Sequence, residues 1–181
     1  MILQLGHSLW KDHLNEGNRA IDATCGNGHD TLFLSTLNLS HLYVFDIQKE
    51  ALLATQKRID HLCAVPSKTI SYHLGCHSLF EGVDSPVDLI VYNLGYLPGG
   101  DKSLTTQVAT TLQSVEKGLS LLTEGGLMSL TLYPGHPEGK REEEALLALT
   151  SSFSPKKFQV SHHRLLNRSS APSLLLIKKI I

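Results

Sequence analysis

Ala20-Ile21-Asp22-Ala23-Thr24-Cys25-Gly26-Asn27-Gly28-His29-Asp30 is the stretch whose reading decides the fold. An apolar run enters a Gly-x-Gly turn, and the residues beyond the turn have helical spacing. A second apolar run, 42–46, ends in Phe45-Asp46, with Asp46 eighteen residues beyond Gly28. Strand, glycine turn, helix, strand and closing carboxylate together describe a nucleotide-shaped cofactor site. Glycines without a Cβ let a ligand approach the backbone, and a carboxylate at the end of the next strand accepts two hydrogen bonds from a ribose diol. A turn of purely structural purpose is the competing reading, and Asp46 at that place counts against it.

Glycine spacing and Asp22 separate two cofactor classes. A dinucleotide fingerprint is Gly-x-Gly-x-x-Gly, with a helix N-terminus aimed at a pyrophosphate. Here the position three after Gly28 is Thr31. Asp22 also places a negative charge near the turn, which repels a pyrophosphate but suits the ammonium and sulfonium groups of S-adenosylmethionine. A methyltransferase site is therefore expected in preference to an NAD(P) site.

Working outward, apolar strand-like segments alternate with longer helix-like ones, the pattern of a parallel sheet flanked by helices. Strands are expected at 19–24, 42–46, 69–74, 87–93, 126–133, 158–163 and 173–180, and helices at 29–37, 48–61, 103–122 and 140–151. Before the first strand, Leu3, Leu5, Leu9, Trp10 and Leu14 suit an amphipathic helix packed on the sheet edge, ended by Gly17. No glycine- or serine-rich linker interrupts the alternation, so the 181 residues are expected to form a single domain. No run approaches the roughly 20 apolar residues of a membrane span, and the first residues lack a secretory pattern, which leads to the expectation of a cytoplasmic protein.

Cys25, Cys63 and Cys76 are too few and too scattered for a disulfide framework or a metal knuckle, and free thiols are expected. His73-Leu74-Gly75-Cys76-His77 resembles a ligand cluster only superficially, since no second pair completes a four-ligand set; no metal is expected. The net charge of −1 hides an asymmetry. Residues 1–144 hold ten Lys or Arg against seventeen Asp or Glu, whereas 145–181 hold six basic residues and no acidic one. Lys156, Lys157, Arg164, Arg168, Lys178 and Lys179 could make a local positive face for RNA or simply a solvated one.

In such sheets ligands bind beyond the carboxyl ends of the strands, where strand order reverses. Two further segments should leave those ends. The first is Asn93-Leu94-Gly95-Tyr96-Leu97-Pro98-Gly99-Gly100-Asp101-Lys102, similar to the Asn-Pro-Pro-Tyr element of methyltransferases that modify nitrogen. An attacking amine must aim its lone pair at the methyl carbon, and the Asn93 oxygen can hold its N–H bonds in the right direction while Tyr96 stacks on a base. The second is Tyr133-Pro134-Gly135-His136-Pro137-Glu138-Gly139, where prolines and glycines hold His136 in a defined loop as a candidate proton acceptor. Alternatively, Pro137-Glu138-Gly139-Lys140 only starts the next helix.

Taken together, 22–34, 45–48, 93–102 and 135–139 resemble the small bacterial class I methyltransferases of the rRNA methylase family, members of which are associated with methylating 5-aminomethyl-2-thiouridine at the tRNA wobble position. The resemblance implies a seven-stranded Rossmann-like sheet with its last strand antiparallel, S-adenosylmethionine as cofactor and the tRNA anticodon stem-loop as partner. By position it assigns Asp22, Cys25, Gly26, Asn27, Gly28, His29, Asp30, Asp46, Ile47 and Gln48 to the cofactor, with His77 and Ser78 bordering its adenine and Asn93 and Gly95 completing the site. Asn93, Tyr96, Asp101 and His136 are the implied catalytic set. Cys25 stands where the family usually has alanine and Pro134 where it often has histidine, and Asn167-Arg168-Ser169-Ser170-Ala171-Pro172 replaces a more amide-rich turn. An rRNA or small-molecule methyltransferase shares every cofactor residue, and a non-catalytic RNA-binding module would be expected to have eroded the glycines or Asp46. Membrane association is not expected, and a homodimer stays open.

Overall fold

The computed structural model describes residues 2–62, 69–95 and 105–181. Its elements in chain order are α1 (Ile2–His13), β1 (Arg19–Asp22), α2 (His29–Ser35), β2 (His41–Asp46), α3 (Lys49–Leu62), β3 (Ile70–Leu74), β4 (Val87–Asn93), α4 (Val108–Leu121), β5 (Leu122–Leu132), α5 (Pro137–Ser151), β6 (Phe158–His163) and β7 (Ser173–Lys179). Seven strands form one sheet in the order β3-β2-β1-β4-β5-β7-β6. Strands β1 to β5 pair parallel, while β7 runs antiparallel to both β5 and β6. This is the Rossmann-like α/β sheet with an antiparallel last strand that the sequence led us to expect.

Period-two alternation distributes each strand between two cores. Ile21, Tyr43, Phe45, Ile90, Tyr92 and Met128 face one side, with Val115 of α4 and Leu146 of α5. Ala20, Leu42, Val44, Leu89, Val91 and Leu127 face the other, with Trp10 of α1, Leu34 of α2 and Leu52 of α3. Strands buried on both faces read as continuous apolar runs, which is why the central ones were legible.

Three local expectations are corrected. Helix α1 lies across a sheet face rather than on its edge: Ile2, Gly6 and Trp10, spaced by one helical turn, form the buried stripe, whereas Leu3 and Leu5 are exposed. Strand β5 starts at Leu122 and not at 126. Its pairing with β4 slips between Leu122↔Val87 and Leu127↔Leu89, and Gly125 at φ +76° absorbs the irregularity. Helix α5 starts at Pro137 and not at 140, because the His136 side chain accepts the Gly139 N–H at 3.1 Å and proline at the first helical position has no N–H to leave unpaired.

The chain proceeds from β1 outward through β2 and β3, then returns to place β4 on the other side of β1. The reversal lies between β1 and β4, and their carboxyl ends, Asp22 and Asn93, frame the opening it creates. Among the described residues no helix is long and apolar enough to cross a membrane.

Candidate active site

A cavity of about 650 Å³ opens at this reversal, within the range of about 300–1,000 Å³ common for small-molecule sites. Its floor is the turn after β1. The carbonyl groups of that turn are engaged on its outer side: Cys25 O accepts Gly28 N–H at 2.8 Å, Gly26 O accepts the Thr55 hydroxyl at 3.2 Å, and Asn27 O accepts Arg58 Nε at 2.7 Å. Helix α3 therefore holds the turn from behind. Gly28, at φ +76°, allows this contact, since a Cβ there would lie 2.8 Å from the Thr55 Cα.

Asp46 closes β2 and ties the next loop to this floor. Its Oδ2 accepts Gly26 N–H at 3.0 Å and its Oδ1 accepts Gln48 N–H at 2.9 Å. Oδ2 also accepts the Cys25 thiol at 3.8 Å, so the lone pair left for a ligand is on Oδ1. Asp22 stands behind the cavity wall, fully buried, with Oδ2 accepting the Thr31 hydroxyl at 2.5 Å and Oδ1 accepting Thr24 N–H at 3.3 Å. Burial raises its carboxyl from 3.8 to about 7; Asp30 and Asp46 push the same way, and the bonds from Thr31 and Thr24 oppose them.

The far side of the cavity is built at the end of β4. Asn93 N–H donates to Thr24 Oγ at 2.7 Å and the Thr24 hydroxyl donates back to Asn93 O at 3.2 Å, clamping the two strand ends together. Asn93 Nδ2 donates to Asp30 Oδ2 at 3.1 Å. Gly95 N–H donates to Thr106 Oγ, whose hydroxyl donates to the buried Glu142 at 2.7 Å; Thr111 donates to the same carboxylate at 2.6 Å. Burial raises the Glu142 pKa, and these two hydroxyls oppose the shift. His77 packs edge-on against the Tyr92 ring, and burial lowers its pKa to about 4, so the imidazole is neutral at physiological pH.

Of the residues singled out in the sequence, Cys25, Gly26, Asn27, His29, Asp30, Asp46, Ile47, Gln48, His77, Asn93, Gly95 and His136 line this one cavity. Asp22 and Gly28 support its floor from behind, and Ser78 lies outside the lining, its N–H on Cys76 Sγ. Tyr96 and Asp101 fall outside the described residues, as does Cys63. Cys25 and Cys76 are free thiols, the first buried with a pKa raised by burial. His136 caps α5, so its ring serves the helix as well as the cavity. Thr105, Thr106, Gln107 and Thr110 at the start of α4 escaped the sequence reading, whereas Tyr133 after β5 and Ser170 and Pro172 before β7 belong to segments it quoted without giving these residues a role. Threonines at such spacing carry no distinctive signal.

Sheet polarity also divides the basic segment. Phe158 pairs with Lys179, whereas His163 pairs with Leu174, so Lys156, Lys157, Lys178 and Lys179 sit at the sheet end away from the cavity. Arg164 and Arg168 are exposed on the cavity side. The six do not form one face. Lys179 instead donates to Leu119 O and Leu122 O at 3.2 and 2.8 Å.

Comparison with known proteins agrees with this architecture. The family model described as "Putative rRNA methylase" matches residues 42–179. The chain is 34% identical to the chloroplastic tRNA (mnm(5)s(2)U34)-methyltransferase of Arabidopsis thaliana, across 97% of this chain and 68% of that protein. An rRNA-methylase structure from Clostridium thermocellum superposes with a TM-score of 0.93 at 35% identity, covering 99% of this chain and 97% of that one. A Streptococcus mutans methyltransferase solved in complex with SAH gives 0.88 at 33% identity, covering 99% and 98%. By the match over residues 42–179, the chain belongs to the rRNA methylase family.

Proposed function

We propose that this chain transfers a methyl group from S-adenosylmethionine to the amine nitrogen of 5-aminomethyl-(2-thio)uridine at the wobble position of tRNA. The carrying observation is the electrostatic character of the cavity: Asp30 and Asp46 line it, Asp22 lies directly behind, and no lysine or arginine is among its described lining residues. Such a site attracts a ligand bearing ammonium and sulfonium groups and repels a pyrophosphate. Bound there, S-adenosylmethionine supplies an activated methyl carbon on a positively charged sulfur.

The residues present fit that group. Asp46 offers an Oδ1 lone pair to a ribose hydroxyl, and the Gly26–Gly28 turn admits close approach to the backbone. His77 Nδ1 is buried with no hydrogen-bond partner among the described residues, and its neutral ring can pair with an adenine edge. Ile47, 54% exposed at the cavity rim, can cover an adenine face.

Asn93 orients the acceptor. Its amide oxygen accepts an N–H of the incoming amine and turns the nitrogen lone pair toward the methyl carbon, the positioning that supplies roughly 7–11 kcal/mol in well-oriented reactions. The name of the Arabidopsis relative supports a wobble-uridine acceptor, and exposed Arg164 and Arg168 on the cavity side suit an RNA backbone.

Mass spectrometry of tRNA nucleosides from cells lacking this protein tests the proposal. Accumulation of the unmethylated aminomethyl nucleoside is expected, whereas unchanged wobble nucleosides with a methyl group missing from rRNA would redirect the assignment to rRNA. With purified protein, Asp46→Ala should weaken donor binding, and Asn93→Ala should slow transfer while donor binding is kept. Equal loss of donor affinity in both variants contradicts this division of roles.

A further inference from the structure

The Asn93 amide is held by a chain of contacts that begins outside the cavity, on α1. His7 Nε2 lies 2.7 Å from Asp30 Oδ1, and Asp30 Oδ2 accepts Asn93 Nδ2 at 3.1 Å. His7 is itself well fixed. Its ring stacks on Phe33 with centroids 4.1 Å apart and planes 9° from parallel, and it tilts against the fully buried Trp10 at 5.0 Å. Asp30 is 8% exposed and lines the cavity, whereas His7 does not line it.

An amide side chain has two ends of nearly equal size and opposite hydrogen-bonding character. Turned by 180°, Asn93 would present N–H groups where an amine nucleophile needs an acceptor. A carboxylate accepts and cannot donate, so Asp30 selects the orientation with Nδ2 toward itself. The Tyr133 hydroxyl also bonds the Asn93 side chain but can donate or accept and so imposes no orientation of its own; the selection depends on Asp30, and His7 engages the carboxylate oxygen that Asn93 does not use.

We propose that His7 is a positioning residue for methyl transfer: through Asp30 it keeps the Asn93 oxygen turned toward the acceptor amine. The proposal rests on the acceptor-orienting role proposed above for Asn93. It gives α1, which precedes the first strand and supplies no cavity residue, a part in the chemistry.

The test uses the full chain, S-adenosylmethionine, and tRNA from cells lacking the activity, with kcat, KM and donor affinity measured separately. His7→Ala is expected to lower kcat about 10-fold or more, since small misplacements at reacting centres cost up to about 100-fold, with donor affinity within about twofold of the parent. His7→Gln places an amide N–H close to where Nε2 stood and should recover most of the rate. His7→Asn, polar but too short, should behave like His7→Ala. In His7→Ala/Asn93→Ala the rate should fall no further than in Asn93→Ala alone, because the two act as one unit.

Full additivity in that double variant overturns the role of His7 and leaves the orienting role of Asn93 standing. The role of His7 is overturned equally if the loss in His7→Ala is in donor affinity, or if His7→Gln is as slow as His7→Ala while melting at the parent temperature. An unchanged kcat in Asn93→Ala overturns the orienting role of Asn93 and the role of His7 with it.

Discussion

Replacing Asp22 with asparagine should make the ligand-free protein more stable at pH 8 than at pH 4 relative to the parent, although it removes a carboxylate beside the site. Asp22 is buried with Asp30 and Asp46 as like-charged neighbours, and its carboxyl is raised from 3.8 to about 7. Below pH 3.8 both folded and unfolded chains hold the proton, and this group contributes no pH dependence. Between 3.8 and about 7 the folded protein retains a proton that the unfolded chain has lost, so stability falls as pH rises, by about 1.4 kcal/mol per pH unit. Above about 7 the folded carboxyl also ionises, and the full penalty of roughly 4 kcal/mol is present. Asparagine keeps the shape, can accept from Thr24 N–H and can satisfy the Thr31 hydroxyl, but it has no charge to desolvate. Urea unfolding of both proteins at intervals between pH 4 and 8 follows this group, because titrations of groups that do not interact with Asp22 cancel in the difference. The stability gained by Asp22→Asn should grow across that range toward roughly 4 kcal/mol. Donor binding at pH 8 should weaken in the same variant, since one negative charge leaves the surroundings of the cavity. A stability difference that stays constant from pH 4 to pH 8 would refute the reasoning, because it would mean that Asp22 ionises in the folded state as an ordinary carboxylate does.

Gly28→Ala should cost roughly 2–5 kcal/mol, combining about 1–2 for a left-handed backbone with about 1–3 for overpacking against the Thr55 backbone; Gly75→Ala, with open space around it, should change the melting temperature little. Glu142→Ala leaves the buried Thr111 hydroxyl and the half-buried Thr106 hydroxyl without their acceptor and should cost roughly 3 kcal/mol, seen as a fall of about 6–12 °C in Tm. Arg164→Ala/Arg168→Ala should reduce the slope of log affinity for tRNA against log salt by about 2, whereas Lys156→Ala/Lys157→Ala, at the opposite sheet end, should leave it unchanged. Equal effects from the two pairs would remove the cavity-side arginines as phosphate contacts.

The order of elements, the glycine turn after β1 and the carboxylate ending β2 could all be read from the chain, because strand periodicity, glycine backbone freedom and the apolar character of doubly buried strands are local properties. The two-faced burial of Ala20 and Ile21, or of Leu89 and Ile90, is written in adjacent residues. The start of α5 at Pro137 was legible only as one of two readings of its loop, and the His136 ring that accepts the Gly139 N–H and decides it leaves no local pattern. Nor could the lie of α1 be read, because Leu3, Leu5, Leu9, Trp10 and Leu14 do not single out one face of a helix and the stripe Ile2, Gly6, Trp10 is chosen only by the sheet it meets.

What the amino-acid sequence settled alone was the class of sheet and the place along the chain where a cofactor turn would form. Only the tertiary structure decided that Asp22 stands behind the cavity while Asp46 lines it, that Glu142 anchors Gly95 through Thr106, and that His7 reaches Asn93 through Asp30. Each of these couples residues 11 to 63 positions apart, or more along the whole chain of contacts. Hydrogen bonding and desolvation act over a few ångströms of space, and no local pattern records which distant segments will share them.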